Sequence, residues 1–224
     1  MYPNLTTSPL FQGISEEDID SLLHCLGALE RRYPKGNVIF PEGKPIECLG
    51  VVLTGRVLIQ YSDVFGTSSI LGSAGPGDTF GEAYACCSGV PLQIEAVAAE
   101  ETAVLLLNVQ RVLTTCPNSC TFHAGLIRNL LSVCAQKNLA FSRRMLHTTP
   151  KTIRGRLLSY FSERVKQEKS RKFTLPFNRQ QLADYLGVDR SALSAELSKM
   201  QRDGLIRYDR KTVELCQTEH LPLS

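Results

Sequence analysis

After a run of strands the apolar pattern changes to a long helix near Pro117, and that change constrains the chain more than any other feature. Before it, from residue 33 to 109, apolar residues come in short runs broken by glycine: "NVIFPEG", "CLGVVLTGRVLIQYS", "SSILGSAGPGDTFGE" and "IEAVAAEETAVLLLNV". Such runs, recurring every 8–12 residues or so, read as strands joined by turns. Pro41-Glu42-Gly43 and Pro76-Gly77-Asp78 suit tight turns, with glycine supplying positive φ. An antiparallel barrel or sandwich is expected. A short helix, "SEEDIDSLLHCL", leads into it, with Ser15 as N-cap and Asp18 at the capping-box position.

After Pro117 the repeat becomes helical. Ile127, Cys134 and Phe141 are spaced by sevens, as are Leu131, Asn138 and Met145, with Leu130 between the two rows. A seven-residue apolar repeat is the seam of a coiled coil, and Asn138 within it would set register at some cost in stability. Leu126, Val133 and Ala140 form a second stripe facing sideways, expected to pack on the strand region. The alternative is a helix buried only against its own domain. "HTTPK" at 147–151 ends the helix, because Pro150 disfavours helical geometry at Thr149. The expected divisions are residues 1–117, 118–147 and 148–224.

Charge follows the same divide. Residues 1–146 hold ten Lys/Arg against thirteen Asp/Glu, whereas residues 147–224 hold fifteen against nine, a net +6. The basic excess belongs to the C-terminal third, which suits a polyanion partner or, more simply, a solvated basic face. There "TIRGRLLSYFSERVKQ" reads as a helix, "KFTLPF" as a short strand, and "NRQQLADYLG" and "VDRSALSAELSKMQRDG" as two helices. "LIRYDRKTVEL" closes the region with two strands around an Asp-Arg-Lys-Thr turn.

The helix pair carries the chemistry. Gly187 suits the turn between the helices, small Ala183 permits close crossing, and Leu182, Leu186, Leu193 and Leu197 supply a shared core. With the strand pair, this is a winged helix-turn-helix. The outer face of the second helix, Ser191, Ser194, Ala195 and Ser198, has neither apolar bulk for packing nor charge for solvation. Short side chains there let the backbone approach a DNA groove. Arg190, one turn inside the helix, can contact guanine in bidentate fashion; alternatively it pairs with Asp189 or Asp184. Arg179, Ser191, Ser194 and Lys211 suit phosphate or sugar contacts, which position without specifying. With Asp189 and Arg190 they complete the candidate DNA-binding set.

Composition excludes several classes. Hydrophobic residues are 43% and charged residues 21% of 224, an ordinary globular balance. No apolar run approaches the roughly 18–20 residues of a membrane span, and "MYPNLTTSPLF" lacks a basic region followed by an apolar core. A cytoplasmic chain without a membrane partner is expected. The eight cysteines contain no C-x-x-C pair, so reduced core thiols are expected. Cys86-Cys87 and Cys116-x-x-x-Cys120 leave room for redox sensing or metal binding. The four histidines complete no familiar ligand spacing, so no metal site is assigned. Residues 33–109 contain no histidine, which argues against a cupin-type enzyme; the chain is expected not to be an enzyme.

Five segments in order, "YPKGNVIFPEG", "GVVLTGRVLI", "GPGDTFGE", the long helix and "RQQLADYLGVDRSALSAELSKMQRDGLI", resemble the Crp/Fnr family of bacterial transcription regulators over nearly the whole chain. The resemblance implies an α+β fold: an N-terminal cyclic-nucleotide-binding-type β-roll with a short leading helix, a long central dimerisation helix, and a C-terminal winged helix-turn-helix. It implies a homodimer on palindromic double-stranded DNA, with RNA polymerase and an unidentified small-molecule effector as further partners. The dimer helix would present Ile127, Leu131, Cys134, Asn138, Phe141 and Met145. The hinge would lie near 147–151.

The resemblance places the effector pocket at Gly81, Glu82, Cys86, Gln93 and Ile94. Relatives that bind cyclic nucleotides follow Gly-Glu, about ten residues on, with Arg-Ser or Arg-Thr to hold the cyclic phosphate. Gln93-Ile94 stands nearest that slot, and neither residue can neutralise a phosphate, so cyclic AMP is not the expected effector. Glu82 either lines the pocket or bonds strand backbone. The clustered N-terminal cysteines of iron–sulfur relatives are absent before Cys25, and no cofactor is assigned. A cyclic-nucleotide regulator, or a thiol-responsive one using Cys86 and Cys87, is the alternative. The family commonly has arginine where Ala195 stands, which leaves Arg190 as the main base reader and more of the specificity to DNA deformability.

Overall fold

The computed structural model describes residues 5–62, 68–114 and 121–216. Cys116, Pro117, Cys120 and His220 therefore lie outside the described residues. The chain divides into two compact units, residues 1–136 and 137–224.

The N-terminal unit opens with a 3-10 turn at Pro9–Phe11 and α1 (Glu16–Leu26). Ser15 caps α1, accepting from the Asp18 N–H, and Gly27 ends it in the left-handed region. Six strands follow: β1 (Leu29–Tyr33), β2 (Val38–Phe40), β3 (Cys48–Thr54), β4 (Val57–Ser62), β5 (Ser68–Ala74) and β6 (Thr79–Phe80). Short α2 (Glu82–Cys86) interrupts them before β7 (Glu95–Ala98) and β8 (Thr102–Asn108), and α3 (Val109–Leu113) follows. The strands form two four-stranded antiparallel sheets, ordered β1-β8-β3-β6 and β2-β7-β4-β5.

The first sheet is covered on both faces, which explains the unbroken apolar runs of β3 and β8. Leu49, Val51 and Leu53 of β3, with Leu105 and Leu107 of β8, join a core with α1, the 3-10 turn and Leu126 and Leu130. The alternate residues Val52 and Val104 join a second core with Phe40, Val57, Phe80 and Ala96. The run ending in Gly81-Glu82 differs from the strand reading, because Glu82 starts α2. Gly81 sits at φ 77, and a Cβ there would come within 2.8 Å of the Phe40 ring. Only glycine combines that backbone with that contact.

α4 runs from Thr121 to Thr148. Its Leu126, Leu130 and Val133 are buried, whereas Ala140 is exposed. The sideways stripe thus packs over its first half only; Ala140 lies beyond Gln136, the last residue of the N-terminal unit.

The C-terminal unit starts inside α4, and polar bonds explain why the compact division falls there rather than at the helix end. Arg144 and His147 on the last turns of α4 both bond residues of the helix-turn-helix. α5 (Ile153–Glu168) follows, capped by Thr152, then β9 (Lys172–Thr174), α6 (Arg179–Leu186), α7 (Arg190–Arg202), β10 (Ile206–Asp209) and β11 (Thr212–Leu215). The sheet order is β10-β11-β9, all antiparallel. Leu157 and Phe161 of α5, Leu182 and Leu186 of α6, and Leu193, Leu197 and Met200 of α7 share one core with Ile206 and Val213.

Candidate DNA interface and effector pocket

The helix-turn-helix is built by local signals at each step. Asn178 caps α6 in a full capping box, its side chain accepting from the Gln181 N–H while Gln181 accepts from the Asn178 N–H, both at 2.9 Å. α6 stops at Gly187, whose φ of 63 is the left-handed region closed to most residues. Ala183, fully buried, joins the core that Leu193, Leu197 and Met200 of α7 share. Asp189 then caps α7: its carboxylate accepts from the Ala192 N–H at 2.9 Å and from the Ser191 hydroxyl. Those bonds hold the Asp189 carboxyl below its ordinary pKa, the Ser191 hydroxyl being the larger cause.

Arg190 is the first residue of α7 rather than one turn inside it, because Asp189 is the cap; it is exposed, with no ion pair among the described residues, and neither Asp189 nor Asp184 claims it. Ser191 is exposed and Ser194 half-buried on the same helix. Ala195 and Ser198 are exposed, and Leu193, Leu197 and Met200 are buried on the opposite side. Arg179 lies over the Tyr208 ring, 4.3 Å from its centroid, which joins the start of α6 to β10 of the wing. Lys211 is exposed in the β10–β11 turn beside Arg210, whose φ is 50. The Lys211 carbonyl accepts from Leu175 at 2.8 Å, which ties the wing to β9.

Three arginines outside the sequence-derived set fix this assembly. Arg144 of α4 donates from Nε to the Tyr185 carbonyl at 2.9 Å and from Nη2 to the Asp184 carbonyl at 2.8 Å. Arg156 of α5 donates from Nη1 to the carbonyls of Leu186 and Gly187 at 2.9 and 3.0 Å, and from Nε to the Pro150 carbonyl at 2.9 Å. Arg154 pairs with Glu196 of α7 at 2.6 Å and with Asp203 at its C-cap at 2.7 Å. Sequence spacing could not find them, because their acceptors on α6, α7 and the turns that end them are 30–49 residues away in the chain. The only available signal was the density of arginine at 154 and 156.

Beside them His147 is buried, with Nε2 2.6 Å from Glu163 and Nδ1 2.9 Å from the Tyr185 hydroxyl. Tyr160 packs edge-on against the His147 ring, and burial pushes its hydroxyl up to about 12. A cavity of about 230 Å³ borders this cluster, lined in part by Arg143, His147, Tyr160, Phe177 and Tyr185.

On α4, Leu131, Phe141 and Met145 are 69%, 67% and 56% exposed, and Asn138 is exposed with them. Ile127 and Cys134 are half-buried. In the β-roll, Gly81 and Glu82 stand at the start of α2, with Glu82 buried. Cys86 ends α2 and is exposed. Gln93 is exposed, its N–H 3.4 Å from the Tyr84 hydroxyl, and Ile94 is half-buried. Glu95, the next residue, accepts from Gln60 Nε2 at 2.7 Å across the β4–β7 pair. A cavity of about 500 Å³ lies near α2, lined by Ile46, Glu47, Ala85, Ser88, Asn108 and Gln110 among others; Glu82, Cys86, Gln93 and Ile94 do not line it. Partial burial pushes the Cys86 thiol up, and Cys134, Cys87 and Glu82 push it the same way. Among the described residues no cluster of three or more His, Cys, Asp or Glu could hold a metal ion, and no helix is long and apolar enough to cross a membrane.

A β-roll followed by a winged helix-turn-helix with a bare, exposed recognition-helix face defines a class of DNA-binding transcription regulators. Residues 30–118 match the cyclic nucleotide-binding domain family and residues 155–222 the Crp-like helix-turn-helix domain family. The chain belongs to the Crp/Fnr family. It is 27% identical over 216 residues to the cyclic AMP receptor protein of Thermus thermophilus, covering 93% of this chain and 92% of that one. It is 23% identical over 218 residues to a CRP-like cAMP-activated global transcriptional regulator of Mycobacterium tuberculosis, covering 97% and 96%. Among solved structures, OCPA-complexed CprK superposes with a TM-score of 0.65 at 15% identity over 92% and 94% of the two chains. The c-di-GMP-responsive regulator CLP of Xanthomonas campestris does so with 0.55 at 23% identity, over 89% and 100%.

Proposed function

We propose that the chain is an effector-responsive, sequence-specific transcription regulator that acts in the cytoplasm as a homodimer on a palindromic site and engages RNA polymerase. The observation that carries this reading is the exposed N-terminal end of α7, where Arg190 stands without an ion-pair partner among the described residues, beside short side chains. Arg190 reads a base edge, Arg179, Ser191, Ser194 and Lys211 bear on phosphate or sugar, and Asp189 orders the helix start as its cap. The exposed apolar residues of α4 support the dimer: Leu131, Phe141 and Met145 recur on the predicted seam, uncovered among the described residues.

The test is to select a preferred duplex from a random pool with the full-length protein. Affinities for it and for a scrambled duplex are then compared in the wild type and Arg190→Ala. Loss of one bidentate base contact costs about 1–3 kcal/mol on the selected site, with little change on the scrambled one. Equal loss on both would remove Arg190 from base reading.

The effector is a small molecule held near Gly81, Glu82, Cys86, Gln93 and Ile94, and it is not cyclic AMP. Exposed Gln93, apolar Ile94 and the carboxylate of Glu95 are poor company for a cyclic phosphate. The opposing reading, a cyclic-nucleotide effector, is favoured by the family match over residues 30–118 and by the names of the Thermus and Mycobacterium relatives. Cyclic AMP at millimolar concentration separates them: no shift in thermal unfolding is expected, and a clear stabilisation would establish the cyclic nucleotide. A thiol-responsive effector site draws no support from Cys86, whose raised pKa makes it a slower nucleophile than an ordinary thiol at neutral pH.

A further inference from the structure

We propose that Arg144 is a positioning residue for DNA reading: from the end of α4 it fixes the C-terminal end of α6, and through the turn it sets the angle at which α7 meets DNA. The inference rests on the reading of α7 as the base-reading helix.

The last carbonyls of a helix have no partner within it and carry the negative end of its dipole, so a cation there is favoured. α6 ends in four consecutive carbonyls, Asp184 to Gly187, and guanidinium groups reach all of them. Arg144 takes Asp184 and Tyr185 at 2.8 and 2.9 Å, and Arg156 takes Leu186 and Gly187. A planar fork across two neighbouring carbonyls restrains direction as well as distance, which a single ammonium cannot do.

The grip is doubled on one residue. His147, one turn beyond Arg144 on α4, has Nδ1 2.9 Å from the Tyr185 hydroxyl, and its Nε2 lies 2.6 Å from Glu163 of α5. The Arg144 guanidinium also stands 5.9 Å from the centroid of the Tyr185 ring. Tyr185 is thus held at its main chain by residue 144 and at its ring tip by residue 147. Only Leu186, Gly187, Val188 and Asp189 separate it from Arg190. Any rotation of the last turn of α4 therefore carries the end of α6 with it.

The experiment uses the full-length protein and the duplex selected by the wild type. Affinities for that duplex and for a scrambled one are measured for Arg144→Ala and Arg144→Lys, with salt dependence. Both variants are expected to lose about tenfold on the selected duplex and to stay within about twofold of wild type on the scrambled one. Lysine keeps the charge but cannot span two carbonyls, so it is expected not to rescue. A specific-to-scrambled ratio unchanged in both variants would overturn the proposal. So would restoration of that ratio by lysine, since that would reduce Arg144 to a charge. Where Arg144→Ala does not fold by thermal unfolding, Arg144→Lys carries the same comparison. Wild-type protein that selects no sequence at all would instead overturn the base-reading role of α7, a failure visible before any variant is made.

Discussion

The two units hold their shape by different means. In the N-terminal unit, strand pairing and two apolar cores do most of the work: β3 and β8 are covered on both faces, and β1 and β6 flank them. In the C-terminal unit, three short helices share one apolar core, but the ends and turns that aim α7 are set by arginines. Arg144 and Arg156 fix main-chain carbonyls, and Arg154 fixes α7 through Glu196 and Asp203. A sheet satisfies its own backbone along its length, whereas a short helix leaves up to four carbonyls open at its end. A small three-helix reader thus depends on side-chain donors at its helix ends, where the β-roll uses neighbouring strands.

The largest way to probe this difference is to damage one core and watch the other unit. Phe161 is fully buried in the C-terminal core, so Phe161→Ala is expected to cost about 3–5 kcal/mol there. DNA binding should be lost while a thermal transition of the N-terminal unit remains near its wild-type temperature. Both units failing together would show that the division after Gln136 is not a division of stability.

A smaller cut tests the arginine device itself. Arg156→Ala removes the donor to Leu186 and Gly187 and the tie to Pro150 without opening a core cavity. The expected cost is about 1–3 kcal/mol, confined to the C-terminal unit and read by denaturant unfolding. An unchanged midpoint would mean that water serves these carbonyls as well as the guanidinium does.

Much of this was legible in the residues because the signals are local. Gly187, Ala183 and the leucines of the helix pair announced the turn and its core, and Pro150 marked the end of α4. The alternation of β3 and β8 was hidden, since both faces of that sheet are buried and the apolar run is nearly continuous. α2 was missed because a five-residue helix is shorter than two turns of periodicity. Net charge was a poor guide to the binding surface. The +6 of residues 147–224 suggested a polyanion surface, yet Arg154, Arg156 and Arg164 are spent on internal carbonyls and carboxylates. Net charge counts such arginines with the exposed ones; only the fold separates Arg190, which faces solvent, from Arg156, which is bonded to main-chain carbonyls.

The finest test of the contrast lies at the cap of α7, where a side chain again serves the open end of a helix, this time its N–H groups. The Asp189 carboxyl is held below its ordinary value by the Ser191 hydroxyl and the Ala192 N–H. Its pKa is therefore lower folded than unfolded, and the unfolded value is about 3.9. Such a group adds stability that is fully present above the unfolded value and is lost as pH falls through the folded one. Asp189→Asn keeps an oxygen to accept from Ala192 but does not titrate. Below about pH 4 the wild type should lose unfolding temperature faster than Asp189→Asn, with the two running parallel above that range. Other carboxylates titrate in the same window in both proteins, so the difference between the curves reports Asp189 alone. Curves that stay parallel down to acid unfolding would show that the cap orders α7 without stabilising it, and would move its role from folding to the shape it presents to DNA.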